Sequence, residues 1–163
     1  MARLLANLLT TRWSLRRAFP ARTLATIERA IAASEAGHGA ELRFAVETAL
    51  GPGAVLRGIT PRERAVEAFS NLHVWDTTAN NGVLIYLLLA ERDIEIVADR
   101  GYNGKVSNAQ WQAVCSAMEA AFRQGDYEQG ALAGIAAVGT LLREHFPPHA
   151  GDGNELPDKP AIL

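Results

Sequence analysis

The chain has 163 residues, carries a net charge of −2, and is 48% hydrophobic and 21% charged. This length corresponds to about one domain, and the composition excludes a wholly disordered chain, a collagen and a coiled coil. No apolar run approaches the roughly 18 residues that a membrane-spanning helix requires. The single cysteine, Cys115, excludes an internal disulfide and a zinc site built from cysteines.

Residues 1–19 form a basic arm that precedes the predicted domain. Six arginines and one glutamate lie within the first 29 residues. Asn7 interrupts the leading leucine-rich stretch, which is therefore too short for the apolar core of a secretory signal. Leu4, Leu5 and Leu8 share a face at helical spacing, so we expect a short helix that either docks on the body or anchors weakly to a surface. These features predict a cytoplasmic protein that is peripheral to the inner membrane.

The predicted domain, residues 20–147, begins with a helix and a strand. Apolar spacing predicts the helix over residues 20–35. Apolar and polar side chains alternate over residues 42–47, which predicts a strand with one buried face. The Gly51-Pro52-Gly53 sequence that follows predicts a loop.

A second helix and a hairpin come next. A capping box of Thr60 and Glu63 opens the helix, which should end near His73. Its predicted buried stripe comprises Ala65, Val66, Phe69 and Leu72. The continuous apolar run over residues 83–89 predicts a strand that is buried on both sides. Residues 94–98 alternate after a very short connection, so this pair of strands should be antiparallel.

Two more helices complete the predicted domain. Ser107 and Gln110 form a second capping box, which opens a long helix that ends at Gly125. Asp126 is placed to cap the last helix, which ends at Pro147. Cys115 lies on the apolar stripe of the long helix and is expected to be an inert core thiol.

The order of these elements predicts a three-layer α/β/α sandwich, in which helices cover both faces of a small mixed sheet. A right-handed crossover would make the first two strands parallel. The tail, residues 148–163, has no periodicity and is expected to be extended, disordered or draped over the body.

The hairpin would bring the loop at residues 76–82 beside the loop at residues 99–105. Oxygen-bearing side chains suited to a divalent cation such as calcium or magnesium occur in both loops. They are Asp76, Asn80, Asp99 and Asn103. Arg100 and Lys105, together with the N-terminus of the long helix, would suit a phosphate or a carboxylate. The alternative is that the Asp and Asn residues only form turns and that Arg100 pairs with a nearby acid.

No residue carries a recognisable catalytic signature. A nucleophile elbow, a Walker phosphate loop and a dinucleotide fingerprint are all absent from the sequence. The aromatic residues do not interleave with basic ones, so a nucleic-acid partner is not expected.

Three separated motifs resemble those of the TPM domain family. They are Asn80-Asn81-Gly82-Val83-Leu84-Ile85-Tyr86, Ile94-Glu95-Ile96-Val97-Ala98-Asp99-Arg100-Gly101 and Gly125-Asp126-Tyr127. The resemblance covers about residues 21–147, and the Asn154-Glu155-Leu156-Pro157 tail is similar to that of small bacterial members without a signal or a membrane anchor. It implies a Rossmann-like α/β/α sandwich and divalent-cation binding at one end of the sheet. It also implies a relation to plant members described as acid phosphatases.

The sequence departs from the better-known members at three positions where they carry acids, namely Asn80, Asn103 and Asn108. The leading interpretation is therefore a TPM-type binding domain with a weak divalent-cation site, which serves an envelope-associated complex. One alternative is a metal-assisted phosphatase, in which Arg100 and Lys105 steady the developing charge. The other is an interaction module that uses the basic arm and meets a membrane-associated partner.

Overall fold

The computed structural model describes residues 1–149 and 153–163. The helices in these ranges are α1 (Ala2–Leu9), α2 (Arg12–Ala18), α3 (Ala21–Glu35), α4 (Pro52–Leu56), α5 (Pro61–Asn71), α6 (Asn108–Gln124) and α7 (Tyr127–His145). The strands are β1 (Leu42–Glu47), β2 (Val83–Leu88), β3 (Asp93–Ala98) and β4 (Ala161–Ile162). A short 3-10 turn, Arg100–Tyr102, follows β3.

The four strands form one mixed sheet in the order β3-β2-β1-β4. β1 is parallel to β2 and to β4, and β2 is antiparallel to β3. Val83 pairs with Ala98 and Leu88 pairs with Asp93, so β2 begins where β3 ends. This register confirms the predicted hairpin and the predicted parallel pair.

Helices cover both faces of the sheet, as predicted. Alternate residues of β2 face opposite layers: Ile85 packs in one core with α3, α6 and α7, and Tyr86 packs in the other with α5. Phe122 of α6 is completely buried in the first core, and Ala68 of α5 is almost completely buried in the second. The three-layer α/β/α sandwich is therefore confirmed.

β1 differs from its prediction because both of its faces are buried. The polar side is covered by the tail and by α5, and its charged side chains have partners there. Arg43 donates a hydrogen bond to the Pro157 carbonyl, and Glu47 pairs with Arg64 at 2.9 Å. The alternation of apolar and charged residues in β1 indicated a solvent-facing side. Charged side chains give the same alternation whether they are exposed or buried with a partner, so the sequence alone does not distinguish the two cases.

Two further expectations were wrong, and one element was not expected. The predicted loop at Gly51–Gly53 contains the start of α4, whose first residue, Pro52, has a backbone already suited to a helix. Part of the tail forms β4, which is only two residues long and therefore leaves no periodicity to detect. Val66 is 48% exposed rather than buried, and Ala68 lies in the core instead.

The predicted helix boundaries are close to the observed ones. Thr60 with Glu63 and Ser107 with Gln110 both form complete capping boxes. Gly125 ends α6 with a left-handed backbone, φ 90°, which glycine adopts without steric cost. α5 ends two residues before His73.

The arm forms α1 and α2, and α1 docks on the body. The docked face is the polar one, because Asn7 is 5% exposed and Leu5 and Leu8 are about half exposed. Of the predicted leucine face, Leu5 and Leu8 therefore lie outward, whereas Leu4 is partly buried. No helix in the described ranges is both long and apolar enough to cross a membrane.

Candidate ligand site between two loops

The loops that precede β2 and follow β3 lie against each other. The Gly101 N–H donates to the Asn80 carbonyl at 2.9 Å, and the Asp99 N–H donates to the Gly82 carbonyl at 2.9 Å. The buried Tyr102 hydroxyl donates to the Asn81 carbonyl at 3.0 Å. These bonds fix one loop on the other at the end of the sheet where β2 begins.

Two glycines permit this close approach. A Cβ at Gly82 would overlap the Val74 carbonyl group, and a Cβ at Gly101 would overlap the Asn80 carbonyl oxygen. Backbone atoms occupy the space that a side chain would need, so both positions require glycine.

Asn80 and Arg100 form one pair of predicted site residues. Asn80 has φ 52°, a conformation that Asn tolerates better than most residues. Its side-chain oxygen accepts hydrogen bonds from Arg100 Nε at 3.0 Å and Nη2 at 2.6 Å. The Arg100 guanidinium is thus held by the Asn80 side chain, and the Asn80 amide oxygen already accepts two hydrogen bonds.

Asp99 and Asn103 form the second pair, because both line a polar cavity of about 560 Å³ between β3 and the start of α6. Its other polar lining residues are Arg62, Glu95, Asn108 and Gln112. Asp99 Oδ1 caps the 3-10 turn by accepting the Arg100 N–H at 2.7 Å. Asp99 Oδ2 is buried and has no hydrogen-bond partner in the part of the chain that the structure describes.

The remaining two predicted residues lie outside these pairs. Lys105 Nζ sits 4.3 Å from the centre of the Phe146 ring, a cation–π contact. Asp76 is exposed, and within residues 1–149 and 153–163 its carboxylate forms no hydrogen bond or ion pair. Ligation by any of the six residues stays a prediction. The described residues hold no group of three or more His, Cys, Asp or Glu side chains placed to bind a metal ion.

A second cavity, of about 660 Å³, lies at the same end of the sheet beneath the tail. Burial raises the pKa of Glu35 to about 8, with nearby Glu41 and Asp158 adding to the shift against a hydrogen bond from the Leu42 N–H. Burial also raises the pKa of Glu41, whose carboxylate accepts the Leu156 N–H at 2.9 Å. The patterns in the sequence did not predict this cavity.

Hydrogen bonds to two acidic side chains, Glu41 of the body and Glu155 of the tail, hold the tail on the body. Glu155 accepts hydrogen bonds from the Thr78 N–H at 3.0 Å and the Thr78 hydroxyl at 2.8 Å. Leu156 is buried in the core on the α5 side of the sheet. The signal available in the sequence was an acidic residue directly before a strand, Glu41, together with acids in a tail that also carries apolar residues.

Comparison with known proteins decides the family. The family model of the TPM domain matches residues 16–141. This chain belongs to the TPM domain family. The predicted membership is therefore confirmed over most of the chain.

Two solved structures resemble this TPM domain. The NMR structure of the BA42 protein from the psychrophilic bacterium Bizionia argentinensis is 30% identical, with a TM-score of 0.77, over 89% of this chain and 95% of that one. The N-terminal domain of a protein from P. gingivalis is 21% identical, with a TM-score of 0.59, over 91% and 88% of the two chains, and shows the fold alone. No curated protein matches the sequence.

Proposed function

We propose that this TPM-domain protein binds a divalent cation weakly in the cavity that Asp99 and Asn103 line. The observation that carries the proposal is Asp99 Oδ2, a buried carboxylate oxygen without a hydrogen-bond partner among the residues that the structure describes. Buried polar atoms nearly always have a hydrogen-bond partner, so this carboxylate oxygen calls for a partner beyond the described residues. A bound cation, or a water molecule bound to that cation, would be such a partner for Asp99 Oδ2.

The donor set fits a hard cation of low affinity. Asp99 brings the negative charge and Asn103 a neutral amide oxygen, and calcium and magnesium prefer oxygen ligands of this kind. Glu95 also lines the cavity, but it is paired with Arg62 at 3.3 Å. Because affinity for calcium rises with the number of charged ligands, a dissociation constant of about 1 mM is expected.

Hydrolysis of phosphate esters, the alternative that the family resemblance implies, needs cationic groups directed at the phosphoryl oxygens. Arg100 is bound to Asn80, and Lys105 lies on the Phe146 ring. This engagement supports binding rather than hydrolysis as the primary function. The envelope-associated setting is part of the same proposal, supported by the exposed basic arm.

The test is a calcium or magnesium titration followed by NMR amide shifts and by the melting temperature. We expect shifts centred on Asp99 and Asn103 and a rise in melting temperature at about millimolar metal. Asp99→Asn removes the charge yet keeps an oxygen to cap the 3-10 turn, and should weaken binding about tenfold. Asn103→Asp adds a carboxylate and should strengthen binding by a similar factor.

Asp126→Asn is the matched control, because Asp126 is an exposed N-cap residue of α7 whose side chain forms no capping bond within the described ranges. Its titration should equal that of the wild type. Absence of any shift at about 10 mM metal, or an unchanged titration in Asp99→Asn, overturns the proposal. Release of phosphate from a generic ester by the wild type, abolished in Asp99→Asn, would establish the phosphatase alternative.

A further inference from the structure

α1 is an amphipathic helix that is docked the opposite way round from most surface helices, which bury their apolar face. Its polar side contacts the body: Arg3 Nε pairs with Glu91 at 2.8 Å, and Asn7 Oδ1 accepts the Leu50 N–H at 2.7 Å. Its apolar side faces outward, with Leu8 54% and Leu9 74% exposed. The polar contacts hold the helix in this orientation.

Neighbouring elements carry further exposed apolar side chains. Leu5 is 50% exposed on α1, and Trp13 is 68% exposed on α2, which follows directly. Leu56, 75% exposed, lies on α4, which packs against α1. We call Leu5, Leu8, Leu9, Trp13 and Leu56 the N-terminal apolar patch. Clustered exposure of large apolar side chains is unusual for a monomer and marks an interaction surface.

The charges around this patch are all of one sign on α1 and α2. Neither helix contains an acid, and α2 carries exposed Arg12, Arg16 and Arg17. The Arg17 guanidinium lies 5.6 Å from the centre of the Trp13 ring. Arg57, exposed, follows α4. Leucines and a tryptophan beside arginines are the composition of helices that lie in a membrane interface.

We propose that the N-terminal apolar patch docks on an anionic lipid bilayer, with α1 in the plane of the interface and the arginines on the lipid phosphates. The polar contacts of Arg3 and Asn7 preorganise the helix, so it need not refold to bind. A second copy of the chain is a poorer occupant, because a symmetric contact would bring like-charged arginines together. This inference is independent of the cation site.

The test is co-sedimentation of the full chain with two kinds of vesicle. One contains phosphatidylglycerol and phosphatidylcholine in equal parts, and the other contains phosphatidylcholine alone. We expect binding to the first that is at least about tenfold stronger than to the second and that falls with salt. Trp13 fluorescence should shift to shorter wavelength on binding, and this shift should be absent in Trp13→Phe.

Leu8→Gln/Leu9→Gln should weaken vesicle binding by about tenfold or more. Both side chains are exposed, so the melting temperature should stay at the wild-type value. Val66→Gln, which changes an exposed apolar residue on α5, is the matched control and should bind normally. Arg12→Gln/Arg16→Gln should remove the preference for the anionic vesicles.

Three outcomes would overturn the proposal. The first is equal binding to both vesicles, and the second is no binding to either. The third is a concentration-dependent dimer of the wild type that is lost in Leu8→Gln/Leu9→Gln, since a second copy would then cover the patch.

Discussion

Two carboxylates at opposite ends of the sheet, the buried Glu47 and the half-buried Asp99, have different surroundings. Glu47, at the end of β1, accepts the Tyr86 hydroxyl at 2.6 Å and two Arg64 nitrogens at 2.9 and 3.1 Å. Asp99, after β3, has one oxygen in a turn and the other buried without a partner in the described structure. Glu47 is thus fully satisfied by the protein and Asp99 only in part.

The difference separates stability from ligand binding. A buried ion pair whose hydrogen bonds are complete makes any single removal expensive, because the other partner is left charged and unpaired. A carboxylate oxygen that is buried without a hydrogen-bond partner costs folding free energy, and a ligand that binds it recovers that cost. We therefore assign Glu47 to the scaffold and Asp99 to the candidate site.

The largest expected effect on the free energy of unfolding comes from substitutions at Glu47 and its partners. Glu47→Gln should lower the free energy of unfolding by about 3 kcal/mol, because Arg64 and Tyr86 lose their charged acceptor, while Arg64 keeps its exposed partner Glu67. Tyr86→Phe, which removes only one hydrogen bond, should cost about 1 kcal/mol. Urea unfolding measures both changes.

Asp99→Asn is the substitution to compare with Glu47→Gln. It should change the free energy of unfolding by less than about 0.5 kcal/mol. A loss as large as that of Glu47→Gln would erase the distinction between the two carboxylates.

The second effect concerns the contact between the two loops. Gly101→Ala places a Cβ against the Asn80 carbonyl oxygen and should cost about 2 kcal/mol, since backbone must move. It should also reduce the response to calcium. Gly53→Ala is the control, because only the flexible end of Arg57 lies nearby, and urea unfolding should show no loss of stability. Equal losses in the two variants would show that the loop contact is not special.

The next effect depends on pH. Glu35 has a pKa of about 8 in the folded state and 4.5 as its ordinary value, so ionisation favours the unfolded chain between these pH values. Its stabilising contribution is complete below pH 4.5 and is lost as the pH rises through 8. Glu41 and Asp158 face it, and Arg43 is close enough to favour its ionised form.

Thermal melts from pH 5 to pH 8 check this. The melting temperature of the wild type should fall across the range, and the fall should be smaller in Glu35→Gln. Parallel curves for the two proteins would mean that Glu35 ionises normally and that the tail cavity is open to water.

The smallest effect concerns Lys105. Lys105→Ala removes the contact with the Phe146 ring and should cost about 0.5 kcal/mol in urea unfolding. Lys105→Arg, which retains a cation for the ring, should keep most of this energy. If both variants instead weaken anion binding without changing stability, Lys105 belongs with Asp99 among ligand-binding groups.

Local sequence signals predicted the parts of the fold that depend on neighbouring residues. The two capping boxes located α5 and α6, and the continuous apolar run located β2. β4 escaped prediction because two residues carry no pattern and their pairing with β1 is entirely long-range.

The candidate site was predictable in outline only. The hairpin was enough to bring Asp99 and Asn80 to one end of the sheet. The direction of Arg100 toward Asn80, and of Lys105 toward Phe146 just after α7, depends on partners distant in sequence. α1 is the clearest case: its pattern favours buried leucines, but Glu91 and the Leu50 backbone select its polar side.

The short strand β4 has a consequence for handling the protein. The Leu163 N–H donates to the Val46 carbonyl at 2.9 Å, so residues 161–163 cover one edge of β1. Trimming by a protease before residue 161 would uncover backbone groups that can pair with a strand of another molecule. Storage conditions that suppress such clipping should therefore also suppress precipitation.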